Sequence, residues 1–245
     1  LSEKKFTVLT ILSAFQRPYL EEQIKCIKNQ TQKSDILVWQ NRKIIDVEEL
    51  CKREGVLHTC NMNWSTRYHG RFLMPMFFPH DYCLIIDDDL MPGERAIEES
   101  LRVCQKHKDQ AILGSAGYDI LGFDDHHIIR KLYKSGEELH VDFIGQSWFF
   151  RSYLVKHLWS EVRHSYVTGE DMEFSRACSR HGIRSLMHAP KNPSLRFSGV
   201  ADYGDDEHAS YKKSWHHKAR KKFAMELLKD GWKVKNHRTL LSKYF

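Results

Sequence analysis

Short apolar runs rich in β-branched residues alternate along this chain with segments whose apolar residues recur every three or four positions. Phe6 to Leu12 predicts a strand ending at Ser13, and Leu20, Ile24 and Ile27, beyond Pro18, predict a helix. Ile36 to Trp39 predicts a second buried strand, stopped by the polar turn Gln40-Asn41-Arg42. Val47 to Cys51 begins a short helix, and Val56 to Thr59 predicts a third strand. The clearest strand is Tyr82 to Ile86, a continuous apolar run that stops at Asp87-Asp88-Asp89. Pro92-Gly93 follow, then a helix with Ile97, Leu101 and Cys104 on one face. This alternation predicts an α/β fold in a single domain, with a sheet that is parallel at its centre.

The second half is less regular. Ala111 to Leu113 predicts a short strand, and Asp124-Asp125-His126-His127 a hairpin or loop. Val141 to Phe150 is apolar apart from Gly145-Gln146-Ser147, and Ser152 to Trp159 predicts a helix. Another helix runs from about Asp171 to His181 and is closed by Gly182. The Pro-, Gly- and Asp-rich stretch from Pro190 to Glu207 reads as a loop. Trp215, Ala219, Phe223 and Leu227 then recur every four residues, so the tail is expected to lay one helical face on the body. The expected division is a body at 1–210 and a basic helical extension at 211–245.

A chain of 245 residues that is 41% hydrophobic buries a sizeable core, which excludes disorder. No run reaches the length of a membrane span, and Leu1 to Lys5 make no secretory signal. The expectation is a soluble, cytoplasmic protein, with peripheral membrane contact left open. Because the chain starts with leucine, it is compatible with a piece of a larger multidomain protein. The six cysteines form no Cys-x-x-Cys pair, so they are expected to be reduced and buried. The net charge of +6 is uneven: residues 211–245 carry eleven Lys/Arg against two Asp/Glu. Such a tail suits an anionic partner, or a solvated helix face.

Three adjacent carboxylates at the end of a buried strand repel one another and call for a neutralising partner. Oxygen ligands favour Mn²⁺ or Mg²⁺, ions that share their coordination between one or two carboxylates and substrate phosphates. The end of a strand in an open α/β sheet is also where ligands bind. The plain alternative is a capping or turn aspartate, which does not call for three.

Leu84-Ile85-Ile86-Asp87-Asp88-Asp89 resembles the strand-plus-Asp-x-Asp signature of GT-A glycosyltransferases. Val38-Trp39-Gln40-Asn41, Ser65-Thr66-Arg67 and Arg71-Phe72 fall in an order similar to exostosin-type members. Gly145 to Phe150 and Thr168-Gly169-Glu170-Asp171 are similar to the acceptor region and Glu-Asp motif of GT-A enzymes. The resemblance implies a GT-A fold, a Rossmann-like mixed sheet that is mostly parallel and flanked by helices, and transfer of a sugar from a nucleotide-sugar, a UDP-sugar, to a hydroxyl of a glycan or other acceptor. It implies that Ser13, Ala14, Phe15, Arg17 and Asn41 lie near the nucleoside. It also implies that Asp87 contacts ribose or sugar, that Asp89 is the direct metal ligand with Asp88 between them, and that a late histidine adds to the metal, His188 by position, with His208, His216 and His217 competing for the same role.

Arg67 and Arg71, four apart, are expected to share a helical face and reach the diphosphate. Trp148 offers its face to a sugar or belongs to the core. Asp171 matches the base position, with Glu170 beside it, yet Thr168-x-x-Asp171 also reads as a capping box. Inversion is favoured, although exostosin-type enzymes retain configuration.

Two enzymatic alternatives share the acids and the metal: a nucleotidyltransferase and a metal-dependent phosphohydrolase. The first commonly has a Gly-rich phosphate loop, where this chain has Ser13-Ala14-Phe15-Gln16-Arg17. A basic nucleic-acid-binding domain would explain the tail but not the acids, so no nucleic acid is expected as a partner.

Overall fold

Strict alternation of side chains sorts the central strands between two cores, one on each face of a sheet. A computed structural model of the chain describes residues 5–61, 65–123, 128–131, 138–161, 167–187 and 204–244. The first strands are β1 (Val8–Ser13), β2 (Asp35–Gln40), β3 (Leu57–Cys60) and β4 (Tyr82–Ile86). Val8, Leu12, Ile36, Val38, Leu84 and Ile86 point into one core, and Leu9, Ile11, Leu37, Trp39, Cys83 and Ile85 into the other. The helices α1 (Leu20–Lys28), α2 (Glu48–Glu54) and α3 (Ala96–Lys106) cover the first face through Ile24, Ile27, Cys51, Ile97 and Cys104. Each fully buried Leu or Ile contributes about 1.5–3 kcal/mol.

The chain continues through β5 (Ala111–Gly114), β6 (Ala116–Ile120), β7 (Ile128–Lys131), β8 (Leu139–His140), β9 (Phe143–Gly145) and β10 (Ser147–Arg151). Then come α4 (Val155–Ser160), α5 (Glu170–Ser179) and β11 (Arg184–Met187), and lastly α6 (His216–Lys229) and α7 (His237–Tyr244). The large sheet has the order β3-β2-β1-β4-β10-β5-β11-β8, with β10 and β8 antiparallel to their neighbours. It is the expected mixed, mostly parallel α/β sheet, and α4 and α5 cover its second face through Val155, Leu158, Phe174 and Cys178. A smaller antiparallel sheet, β7-β6-β9, stands beside it.

Between β1 and β4 the chain reverses its course across the sheet, because β2 and β3 build outward on one side and β4 on the other. The parallel pairing of β1 with both β2 and β4 brings Ser13, Gln40 and Ile86 to one edge. That crevice is the switch point where open α/β sheets bind ligands.

Several boundaries differ from the periodicity. The third strand starts at Leu57, because the Val56 amide still donates to the Cys51 carbonyl at 3.0 Å and closes α2 around the left-handed Gly55. The apolar stretch before Arg151 is two strands, broken at Gln146, which is left-handed at φ +68°. In the tail Trp215 precedes α6 and remains 40% exposed, so the buried face is Phe223, Ala224, Leu227 and Leu228. These residues join Ile120, Phe143, Met172 and Trp232 in a third core that binds α6 to the small sheet and α5. Four of the six free cysteines are buried. No helix among the described residues is long and apolar enough to cross a membrane.

Gly169 holds this third core against α5. It is left-handed at φ +98°, and a Cβ there would lie 2.1 Å from the Phe223 ring. Gly169→Ala is therefore expected to cost about 3 kcal/mol through overpacking and backbone strain. That loss lowers Tm by roughly 6–12 °C in a chain of this size. A Tm within 2 °C of the parent, on the order of measurement scatter against that shift, would contradict it.

Candidate active site

The strand β4 delivers Asp87, Asp88 and Asp89 to the switch point, and buried polar bonds hold the turn in place. The Gln23 side-chain amide donates to the carbonyls of Asp87 and Leu90, each at 2.8 Å, and the Asp87 amide donates to the Gln146 carbonyl at 3.0 Å. The three acids line a cleft of about 1300 Å³ together with Glu170 and Asp171 from the start of α5. Single-ligand pockets usually span about 300–1,000 Å³, so this one has room for more than one small ligand.

Three arginines divide the five acids between them. Arg71, 5% exposed, donates to Asp87 and, at 3.0 Å, to Glu170, joining the end of β4 to the start of α5. It also reaches the Ser13 hydroxyl at 3.3 Å and lies over the Trp148 ring at 4.5 Å. Arg17 donates to Asp88 at 2.5 Å, lies 3.4 Å from Asp89, and grips Asp206 with a two-bond fork at 2.7 and 2.9 Å. Arg220 from α6 forks onto both oxygens of Asp171 at 3.0 and 2.8 Å. Such paired bonds fix a carboxylate's plane as well as its charge.

Electrostatics at the strand end are unbalanced. Burial pushes the Asp87 carboxyl well above the usual carboxylate range, and Asp89 and Asp88 beside it add to the rise against the pull of Arg71. The Asp88 oxygen Oδ2 is buried without a hydrogen-bond partner among the described residues. Arg17, by contrast, holds Asp206 down to about 2.

Of the residues expected near a nucleoside, Ser13, Ala14, Phe15, Arg17 and Asn41 all line the cleft. Phe15 is 43% exposed and free to cover a base, whereas Ala14 is buried with its amide on the Trp39 carbonyl at 2.9 Å. Asn41 is engaged with the chain itself: its carbonyl oxygen accepts from the Thr66 amide and hydroxyl, and its amide donates to Ser65, all at 2.8 Å. It shapes the wall formed by Ser65 and Thr66.

Arg67 and Arg71 both line the cleft but share no helical face. Arg67 is left-handed at φ +48° in a turn, and only Arg71 lies in the following 3-10 turn, Gly70–Phe72. Trp148 is 1% exposed, yet it forms part of the cleft wall and its indole N–H has no partner among the described residues. The capping box does not form, since the residue before α5 is the left-handed Gly169 and no side chain caps the helix. His188 lies outside the described residues.

Arg220 and Asp206 were not anticipated. Arg220 is one cation within Lys218-Ala219-Arg220-Lys221-Lys222, and Asp206 one acid within Asp205-Asp206-Glu207, so nothing local marks either. Among the described residues, no three His, Cys, Asp or Glu side chains converge on a set able to hold a metal unaided.

The fold is similar to that of S. aureus TarS. The crystal structure of TarS 1-349 matches with a TM-score of 0.56 at 12% identity, covering 76% of this chain and 58% of that one. A second TarS crystal structure matches with a TM-score of 0.53, also at 12% identity, covering 76% of this chain and 35% of that one. The match thus spans less than two-thirds of either TarS chain. No family model and no curated protein matches the sequence.

Proposed function

We propose that this chain is a metal-dependent glycosyltransferase that moves a sugar from a nucleotide-sugar donor, a UDP-sugar, to an acceptor hydroxyl. The observation that carries this reading is the cleft at the switch point, where Asp87, Asp88 and Asp89 share one space with Glu170 and Asp171. The fold supports it, because TarS is a glycosyltransferase.

The donors at the end of β4 fit a hard cation shared with phosphates. The unbonded Asp88 oxygen and the raised Asp87 carboxyl mark negative charge that Arg17 and Arg71 do not fully satisfy. Asp89 and Asp87 would hold Mn²⁺ or Mg²⁺, with His188 a further candidate ligand, and the remaining positions would be taken by the diphosphate and water. The bound ion would act as a Lewis acid on the departing nucleoside diphosphate. Arg17, beside the same acids, pairs with the diphosphate, and Phe15 covers the base. Arg67, which also lines the cleft, adds positive charge.

Asp171 takes the proton of the acceptor hydroxyl as that oxygen attacks the anomeric carbon, which inverts its configuration. Arg220 donates to each carboxylate oxygen and the Met172 amide also donates to Oδ1 at 2.8 Å, which leaves Oδ2 with a free lone pair for the acceptor hydroxyl. Gly145 keeps the approach open, since a Cβ there would lie 3.7 Å from the Asp171 oxygen Oδ2 and 3.1 Å from the Tyr118 ring. Glu170 holds Arg71 in place.

Product analysis tests the reading. With Mn²⁺ and no acceptor, slow turnover of a UDP-sugar is expected to give UDP and free sugar, and to stop with EDTA. UMP and a sugar phosphate would instead identify a phosphohydrolase. Asp171→Asn is expected to lower kcat for transfer about 10²–10⁴-fold, with a smaller change in donor KM. A loss under about tenfold would remove Asp171 as the base.

A further inference from the structure

We propose that the first turn of α6 is a subsite for an oxyanion, a phosphate or carboxylate carried by the acceptor. The assignment to the acceptor rests on the glycosyltransferase reading. His216, His217, Lys218 and Lys221 all line the cleft, and α6 runs for 14 residues behind them. The His216 amide donates to the Lys213 carbonyl at 2.9 Å, but the first turn has no acidic residue and no side-chain cap, so the positive end of the helix beyond that amide can take an outside anion.

The independent observation is His216. It is 7% exposed, it lines the cleft, and its Nδ1 has no hydrogen-bond partner among the described residues. Neither ring nitrogen bonds to another side chain or to the backbone among the described residues, so the imidazole is placed to meet a ligand in the cleft. Burial pushes this imidazole down to about 4, with Arg220 adding to the fall, so it is neutral at pH 7. With its proton on Nε2, the ring nitrogen that is not sealed from the cleft, a neutral imidazole donates to an anionic oxygen.

The neighbouring cations sort by direction. Arg220 is committed to Asp171, and Lys222 lies 3.9 Å from Glu226 on the exposed side. Lys218 and Lys221 face the cleft and enter no ion pair among the described residues. On the glycosyltransferase reading the donor diphosphate binds at the end of β4. Arg220, one turn after His216, therefore places the α6 anion beside Asp171, where the acceptor hydroxyl must lie. The acceptor class that fits is a hydroxyl compound with a phosphate or carboxylate near the reacting oxygen.

Inorganic phosphate is titrated into ¹⁵N-labelled full-length protein, with and without saturating Mg²⁺ and UDP, and acetate and glycerol are run in parallel. Phosphate is expected to shift the His217 and Lys218 amides saturably in both conditions, and glycerol to leave them unmoved. The acetate arm tells whether a carboxylate serves as well. Lys218→Ala/Lys221→Ala is expected to weaken phosphate roughly tenfold, while Lys222→Ala changes it less than about twofold. Phosphate shifts that vanish once UDP is bound would assign these cations to the donor and overturn the proposal. So would the absence of a saturable shift, or an equal loss in Lys222→Ala. If Mg²⁺ and UDP shift nothing while phosphate still moves α6, the donor reading fails and the anion site stands.

Discussion

Asp89→Asn is expected to lower Mn²⁺-dependent turnover of a UDP-sugar by about a thousandfold or more. The substitution keeps the shape of the side chain and removes the charge proposed to bind the metal directly. Charge stabilisation on a leaving diphosphate is worth several kcal/mol, and about 4 kcal/mol corresponds to a factor of roughly 10³. Folding should not suffer, because three like charges at the end of β4 repel one another and the variant relieves part of that repulsion. The expected combination is lost turnover with an unchanged or raised Tm in EDTA. Turnover within about tenfold of the parent would remove Asp89 from the metal site.

Arg71→Ala is expected to have the largest effect on stability. Arg71 is buried between Asp87 and Glu170, so its removal leaves two carboxylates facing each other without a cation. It also takes the guanidinium from the face of Trp148. Breaking a buried pair in this way costs about 3–5 kcal/mol. That is a fall of roughly 6–20 °C in Tm for a chain of this length. The sign of the pH dependence follows from Asp87, whose carboxyl rises further without Arg71, so it takes up a proton more readily in the folded variant and the penalty shrinks as pH falls. Thermal melts at pH 7 and pH 5 check both points. An Arg71→Ala variant that melts within 2 °C of the parent at pH 7, far below the roughly 6 °C expected, would show that the link between β4 and α5 is not structural.

The legible parts of the chain were those in which local pattern and tertiary role coincide. The run from Tyr82 to Ile86 is buried at every position, so its apolar continuity and its abrupt stop at Asp87 both survive in the structure. Gly182 closes α5 in the left-handed conformation, as a glycine after a periodic segment suggests. What was not legible depends on distant partners. That β10 enters antiparallel between β4 and β5 is decided by pairing across about 60 residues of chain for β4 and 35 for β5, which no local period encodes. Arg67 and Arg71 have helical spacing, but the positive φ of Arg67 separates them. Asn41 carries the donor and acceptor atoms a base would use, and the chain spends them on Ser65 and Thr66. Arg220 is indistinguishable from the lysines beside it until α6 docks on α5 through Phe223 and delivers it to Asp171. A charged tail that looked generic thereby becomes one wall of the cleft.

Calorimetric titration of the intact chain with a panel of UDP-sugars, in Mn²⁺ and again in EDTA, tests the central claim most directly. The expected result is saturable one-to-one binding of at least one UDP-sugar that requires Mn²⁺ and is lost in Asp89→Asn. Absence of binding across the panel with Mn²⁺ present, or binding of equal strength in EDTA, would contradict a metal-dependent nucleotide-sugar site at the end of β4.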